Sequence, residues 1–234
     1  MPDMGAAAIA YSATAEMVAA GADAEFSRAC NKCACSHCRV RHCGRMEETI
    51  AACIYERATR ALASLPVDER RDTYVVSFFV YDHRDDPRRP VLTIGTNTER
   101  QVARVTHTAS DEAEARWNYA FWLHNDLATV GGPLDPDGER LVKAAFDTDG
   151  LWFADDDYSD RALDIGRAMT RRFVSECLTA TQRMHQRGVI VATFGRPIPV
   201  LVHELEYYDE IVQQNRGANP PELVNELAAW VESS

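Results

Sequence analysis

The sequence contains one run, Thr73-Tyr74-Val75-Val76-Ser77-Phe78-Phe79-Val80-Tyr81, in which every residue except Ser77 is β-branched or aromatic. This composition predicts a β-strand. A turn-forming segment rich in aspartate and proline follows at Asp85–Pro90, and Val91–Thr96 has strand composition again. We therefore predict two neighbouring strands that are joined as a hairpin.

Helical patterns flank this hairpin on both sides. After Met46, apolar residues recur at helical spacing until Pro66, at Ile50, Cys53, Ile54, Ala58, Ala61, Leu62 and Leu65. We expect a short helix over residues 139–146 and the longest helix over Ser159–Gln186. A last helix is predicted to open at Asn219-Pro220-Pro221, since proline is tolerated in a first helical turn.

Two more strands are predicted after the longest helix, a buried one over Val189–Phe194 and another over Val200–Glu204. Helices and strands mix without regular alternation, which predicts an α+β fold with a mostly antiparallel sheet packed against several helices. This single domain is expected to span residues 46–234. Residues 1–45 are rich in alanine and cysteine, and we interpret them as an irregular leader.

Charge and hydropathy exclude several classes of protein. The 234 residues carry a formal charge of −11, and since residues 1–45 hold five basic and four acidic side chains, residues 46–234 carry −12. This balance argues against nucleic-acid binding, except through the basic leader, and suits a basic protein partner. No apolar run is long enough to cross a membrane, and no secretory signal is present, so we expect a cytoplasmic protein.

Five of the seven cysteines lie within fourteen residues. The candidate metal ligands in this segment are Cys30, Cys33, Cys35, Cys38 and Cys43, together with His37 and His42. Thiolate and imidazole bind zinc, and Cu(I) or an iron–sulfur cluster are alternatives. Basic neighbours favour the thiolate form, which would equally serve redox chemistry. The remaining alternative is a tail whose cysteines have no function.

The two other cysteines and the acidic loop are interpreted as structural. Cys53 and Cys177 lie on apolar faces of predicted helices, where a small core residue is expected. The run Asp155-Asp156-Asp157 begins like a calcium loop, but Asp160 and Gly166 stand where an EF-hand needs glycine and glutamate. A solvated loop is therefore predicted there.

An aromatic block, which we define as residues 116–125, is the most unusual stretch of the predicted domain. Its candidate binding residues are Arg116, Trp117, Asn118, Tyr119 and Trp122, of which arginine, tryptophan and tyrosine are the types that most often anchor interfaces. The alternative is that the same aromatic side chains fill the core beneath the sheet. Both interpretations hold if only some of the rings are buried.

The order of several motifs resembles one bacterial family of uncharacterised domains, numbered forty-three-oh-three, over about residues 46–234. The motifs are Ile54-Tyr55-Glu56, Phe78-Phe79-Val80-Tyr81, Asn97-Thr98-Glu99, Arg116-Trp117-Asn118 and Asn219-Pro220-Pro221. The resemblance implies a binding role, such as immunity against a secreted toxin, and no defined catalytic residues. Phe121-Trp122 departs from the family's usual tryptophan-containing block, and the cysteine-rich leader is not a family feature.

Three functions follow as hypotheses. The first is a non-enzymatic binding protein, possessing a metal-binding leader, that recognises a protein partner. The second is a metal-handling or thiol-redox protein that acts through Cys30–Cys43. The third is an enzyme, because Arg116, His124, Asp126 and Glu204 are residue types that an active site uses, although residues 46–234 contain no catalytic sequence motif.

Overall fold

The computed structural model describes residues 49–205 and 209–233. The predicted leader therefore lies outside the described residues. Four strands form one sheet: β1 (Thr73–Asp82), β2 (Pro90–Thr98), β3 (Ala128–Gly131) and β4 (Val200–His203). The helices of the described residues are α1 (Ile50–Ala63), α2 (Val67–Asp72), α3 (Glu99–Val105), α4 (Glu112–Trp117), α5 (Pro136–Thr148), α6 (Asp160–Gln186), α7 (Val189–Phe194), α8 (Asp209–Ala218) and α9 (Asn225–Ser233).

The strand order in the sheet is β3-β2-β1-β4. The predicted hairpin is confirmed, because β1 and β2 pair antiparallel from Thr73↔Thr98 to Asp82↔Pro90. β3 also pairs antiparallel with β2, whereas β4 lies parallel to β1, with Phe79↔His203 as the last pair. The α+β class is confirmed, and the sheet is mixed, with two antiparallel strand pairs and one parallel pair.

Helices cover one face of the sheet and build the larger apolar core. Along α1, Ile50, Ile54, Ala58 and Leu62 are buried at helical spacing, and the Thr49 hydroxyl accepts a hydrogen bond from the backbone N–H of Ala52 at its start. The longest helix is confirmed almost to the residue, since α6 spans Asp160–Gln186 and Ser159 caps it. Cys53 and Cys177 are buried in this core, in the positions that the sequence predicted.

The opposite face of the sheet carries a second core. The aromatic residues Tyr74, Trp117, Tyr119 and Trp122 pack there with Val75 and Leu201 and with residues of the chain's last segment. That segment begins with a short 3-10 turn at Pro221–Leu223, so the last helix starts at Asn225 and not directly after the two prolines. The sheet is therefore the middle layer between two apolar cores.

One predicted strand is wrong. Val189–Phe194 forms α7, which is bounded by Gly188 and Gly195, both with positive φ. Ile190 and Phe194 are buried four residues apart on one side of the helix, while Val191 is 51% exposed. A short apolar run carries no periodicity that separates a buried strand from a helix, and the flanking glycines end α6 and α7 instead of bounding a strand.

Candidate functional site

The parallel pairing of β1 and β4 brings their carboxyl ends to the same edge of the sheet. Asp82 is the last residue of β1, and Glu204 directly follows β4. A cavity of about 350 Å³ opens at this edge, and its wall includes Phe79, Tyr81, Asp82, Thr170, Glu204 and Leu205. Crevices outside the carboxyl ends of parallel strands are common ligand sites in proteins with parallel sheets. We call this cavity the strand-end groove.

A second cavity of about 560 Å³ adjoins the groove, because both are lined by Thr170 and Glu204. Arg167 and Arg171 from α6 and Glu210 from α8 also line this neighbouring cavity. Charges of both signs are therefore present there, whereas Asp82 and Glu204 are the only charged residues among the described part of the chain that line the groove itself.

The two carboxyl groups of the groove have perturbed protonation. Burial, together with the charge of Glu204, raises the pKa of Asp82 to about 6. Burial and then the charge of Glu210 raise the pKa of Glu204. The Asp82 Oδ1 atom is buried and accepts no hydrogen bond from the described part of the chain. Each of these causes disfavours the ionised form, so a cation that entered the groove would reverse the effect.

Aromatic rings line the other side of the groove. The ring of Phe79 stacks on that of Tyr81, with centroids 5.5 Å apart, and on that of Tyr119, with centroids 4.7 Å apart. The faces of such rings attract cations. This stack also connects the groove to the aromatic block.

A buried histidine lies behind this ring stack. His203 Nδ1 lies 2.9 Å from the carbonyl oxygen of Glu204, which can only accept, so Nδ1 carries the proton. Nε2 then accepts from the Ser77 hydroxyl at 2.8 Å. Burial lowers the pKa of His203 to about 4, so the ring is neutral at pH 7. The pair fixes the backbone of Glu204 and is closed off from solvent, because both residues are buried.

The predicted binding residues of the aromatic block are mostly internal. Trp117, Tyr119 and Trp122 are 5%, 7% and 3% exposed. The Arg116 guanidinium donates two hydrogen bonds to the Glu99 carboxylate, at 2.6 and 3.1 Å, and the Asn118 side chain accepts from the Ala120 N–H at 3.0 Å. The three rings therefore fill the second core, and the polar members of the block are engaged within the fold.

The residues of the enzyme hypothesis are distributed over different surroundings. Arg116 pairs with Glu99, while the His124 ring lies 4.9 Å from the ring of Tyr119 between centroids. Burial is the main cause of the raised pKa of Tyr119, and the charge of Asp126 adds to it. Of the four residues in that hypothesis, only Glu204 lines the groove.

Asp82 was missed in the sequence, although a signal for it exists. Asp82 ends an apolar strand in Val80-Tyr81-Asp82, and Glu204 directly follows one in Val202-His203-Glu204. That signal becomes informative only when β1 and β4 are known to be parallel neighbours.

The predicted metal ligands Cys30, Cys33, Cys35, Cys38, Cys43, His37 and His42 lie outside the described residues. Within residues 49–205 and 209–233, no group of three or more histidine, cysteine, aspartate or glutamate side chains is arranged to hold a metal ion. Asp155 of the acidic loop is 91% exposed at its side chain and pairs with Arg88.

Comparisons with known proteins give no further information about this site. No family model matches the chain, and neither the curated proteins nor the solved structures contain a match. The resemblance of residues 46–234 to the uncharacterised-domain family therefore stays a prediction. Across the described ranges, every helix is too short or too polar to span a membrane.

Proposed function

We propose that this protein is a non-enzymatic binding protein that recognises a basic polypeptide through the strand-end groove. One observation carries this proposal: neither Asp82 nor Glu204 forms an ion pair with any of the described residues. Other carboxylates of the domain do, since Asp86 pairs with Arg88 at 2.8 Å and Glu99 with Arg116 at 2.6 Å. The groove thus presents two carboxylates whose counter-charge would come from a ligand.

Electrostatics supports a cationic group as that ligand. At an effective dielectric constant near 20, two unit charges separated by about 4 Å attract by about 4 kcal/mol, before the cost of desolvation is subtracted. A lysine or arginine side chain in the groove would give the Asp82 Oδ1 atom a donor and would lie beside the Phe79 and Tyr81 rings. The charge of −12 on residues 46–234 would accelerate the encounter with a basic protein, for example a nuclease toxin.

A labelled peptide of alternating arginine and glycine tests this proposal by fluorescence anisotropy. The variant Asp82→Asn/Glu204→Gln removes both groove charges, and the variant Asp156→Asn/Asp157→Asn removes two charges from the acidic loop. We expect the groove variant to weaken binding by at least about tenfold, as expected for loss of a charge-assisted contact. We expect the loop variant to bind within about twofold of the wild type, because exposed charges act only through the screened field. Equal weakening in both variants would show that net charge alone attracts the peptide, and the proposal would fail.

We propose in addition that the cysteine-rich segment binds a metal ion, with zinc as the first candidate and Cu(I) or iron–sulfur as alternatives. The support is the density of thiols, with Cys33 and Cys35 separated by a single residue. Elemental analysis of protein purified without oxygen or added metal, beside a thiol titration, tests it. Near-stoichiometric metal that is lost in Cys33→Ser/Cys35→Ser, but kept in Ser36→Ala, is the expected result. Metal-free protein with fully reactive thiols would refute the site and the metal-handling alternative, whereas oxidised thiols without metal would favour redox chemistry.

A further inference from the structure

Side chains cover the outer edge of β4. The Asn215 Oδ1 atom accepts from the Val202 N–H, and its Nδ2 donates to the Val202 carbonyl, both at 2.8 Å. Asn219, one turn later on the chain, makes the same two contacts with Val200, at 2.8 and 3.0 Å. The two amide side chains thus occupy the positions of an additional strand and block edge-to-edge pairing.

The opposite edge of the sheet is covered in a similar way. Arg57 donates to the Thr129 carbonyl on β3 at 3.0 Å, and the Gly131 N–H donates to Asp135 at 3.1 Å. Arginine and aspartate side chains therefore replace a neighbouring strand there.

Strand ends that extend beyond their neighbours are covered as well. β2 extends beyond Ile94, its last residue paired with β3, and there the Thr96 N–H donates to the side chain of Asn125 at 2.9 Å. At the start of β1, the Thr73 carbonyl accepts from Arg196 at 2.7 Å. Coverage of open strand edges by side chains is thus a repeated feature of this sheet.

The carboxyl end of β1 differs from these edges. β4 pairs with β1 only as far as Phe79, whereas β2 holds β1 extended as far as Asp82. The Val76 N–H donates towards the β4 side, to Pro199 at 2.9 Å, so backbone groups two, four and six residues later point the same way. Beyond the last β4 pair, these groups are the carbonyl of Val80 and the N–H of Asp82. Neither has a hydrogen-bond partner among the residues that the structure describes, and both face the strand-end groove.

We propose that the open end of β1 takes up an extended segment of the basic partner as an added strand in line with β4. This inference rests on the proposed function of the groove and specifies its binding mode. Side chains of the added segment would alternate between the two faces of the sheet. One face offers Asp82, Thr170 and Glu204, and the other offers the rings of Phe79 and Tyr81. The matching motif is a lysine or arginine next to an apolar residue in an extended segment.

The test uses the synthetic peptide acetyl-Val-Arg-Val-Arg-Val-amide and two analogues, titrated into the full chain. One analogue is N-methylated at its first, third and fifth residues, and the other at its second and fourth. Because successive backbone N–H groups of an extended chain point to opposite sides, each analogue lacks the hydrogen-bond donors of one side only. A strand added to β1 uses one side, so we expect one analogue to bind at least about tenfold more weakly, from loss of backbone hydrogen bonds. The other analogue serves as the matched control and should bind like the parent peptide. The amide of Asp82 should become protected from hydrogen exchange in the parent complex.

The outcomes separate this inference from the proposed function. Two analogues that bind like the parent, with binding still reduced in Asp82→Asn/Glu204→Gln, would overturn strand addition and leave the charge-based function standing. Parent binding that does not respond to Asp82→Asn/Glu204→Gln would overturn both. Absence of binding by the valine–arginine peptide at millimolar concentration, with the arginine–glycine peptide still bound in wild type and weakened in Asp82→Asn/Glu204→Gln, would overturn strand addition alone.

Discussion

Replacement of Asn215 by leucine should destabilise the domain strongly, even though it exchanges a polar residue for an apolar one in the core. Asn215 is fully buried, and its side chain satisfies both the N–H and the carbonyl of Val202 at 2.8 Å. Leucine has a similar size but offers neither donor nor acceptor. The variant therefore leaves the backbone N–H and carbonyl of Val202, on the outer edge of β4, without their main hydrogen-bond partner.

The size of the effect follows from these two groups. A buried backbone donor or acceptor that loses its partner costs about 1–3 kcal/mol. Two such groups, less the gain from burying leucine, give a loss of about 3 kcal/mol in the free energy of unfolding. For a domain of this size, each kcal/mol lowers Tm by about 2–4 °C, so a decrease of about 6–12 °C is expected.

Urea and thermal unfolding, followed by circular dichroism, measure this effect in the full chain. Gln213→Leu is the matched control, because it makes a similar change on the same helix at an exposed position. It should stay within about 0.5 kcal/mol of the wild type. If Asn215→Leu were equally mild, the amide side chain would contribute little to covering β4. The contrast between covered edges and the open end of β1 would then lose its energetic basis.

Three further predictions concern glycines of α5 and α8, the carboxylate of Asp135 at the start of α5, and the groove. Gly138→Ala should destabilise the domain by more than about 2 kcal/mol, because its Cβ would lie 1.9 Å from an Asp135 oxygen and 2.8 Å from the backbone nitrogen of Gly131. Gly217→Ala, in open space, should stabilise the domain by about 0.5–1 kcal/mol, and urea unfolding compares the two variants. Burial would raise the pKa of Asp135, but hydrogen bonds from Arg57 and from two backbone N–H groups outweigh it and lower the pKa. The Asp135 carboxylate therefore stabilises the fold at pH values above its pKa in the unfolded chain. The Tm difference between wild type and Asp135→Asn should shrink as the pH falls through the pKa of Asp135 in the folded protein, and a difference that stays constant would contradict this. Asp82 has the opposite sign, since its raised pKa of about 6 costs stability above that pH, so Asp82→Asn should raise Tm at pH 7.5 and lose the gain by about pH 4.

Local sequence signals were sufficient where a segment's own residues determine its structure. The β1–β2 hairpin follows from composition and from the Asp85–Pro90 turn, and α6 follows from its apolar period, its Ser159 cap and the glycine at its end. Val189–Phe194 is the counterexample, because six apolar residues carry no period that separates strand from helix. What distinguishes them is packing, in which Ile190 and Phe194 face the core and Val191 does not.

The aromatic block shows why interface and core cannot be separated by residue type alone. Tryptophan and tyrosine are typical of both. The Trp122 Nε1–H donates to the Arg116 carbonyl at 2.7 Å, and the Tyr74 hydroxyl donates to the same oxygen. The polar atoms of these rings thus find partners inside the fold, which allows the rings to be buried. Through Tyr119 the block also backs the ring of Phe79, so it influences the groove without lining it.

The groove itself was beyond sequence reasoning, because it depends on which strand completes the sheet. β4 is the last strand of the described residues, and its parallel alignment brings Glu204 to Asp82, 122 residues away in sequence. In the described part of the chain, no cation of the turn that follows β1 forms an ion pair with Asp82. Arg88, in the turn that follows β1, pairs with Asp86 at 2.8 Å and with Asp155, and the next residue, Arg89, pairs with Glu139 at 2.7 Å. Because Arg88 and Arg89 form ion pairs with other carboxylates, they do not neutralise the charge of Asp82 at the end of β1. A partner that supplies a cation there competes with no internal ion pair of Asp82 or Glu204 within the described residues, and its binding energy is not reduced by breaking one.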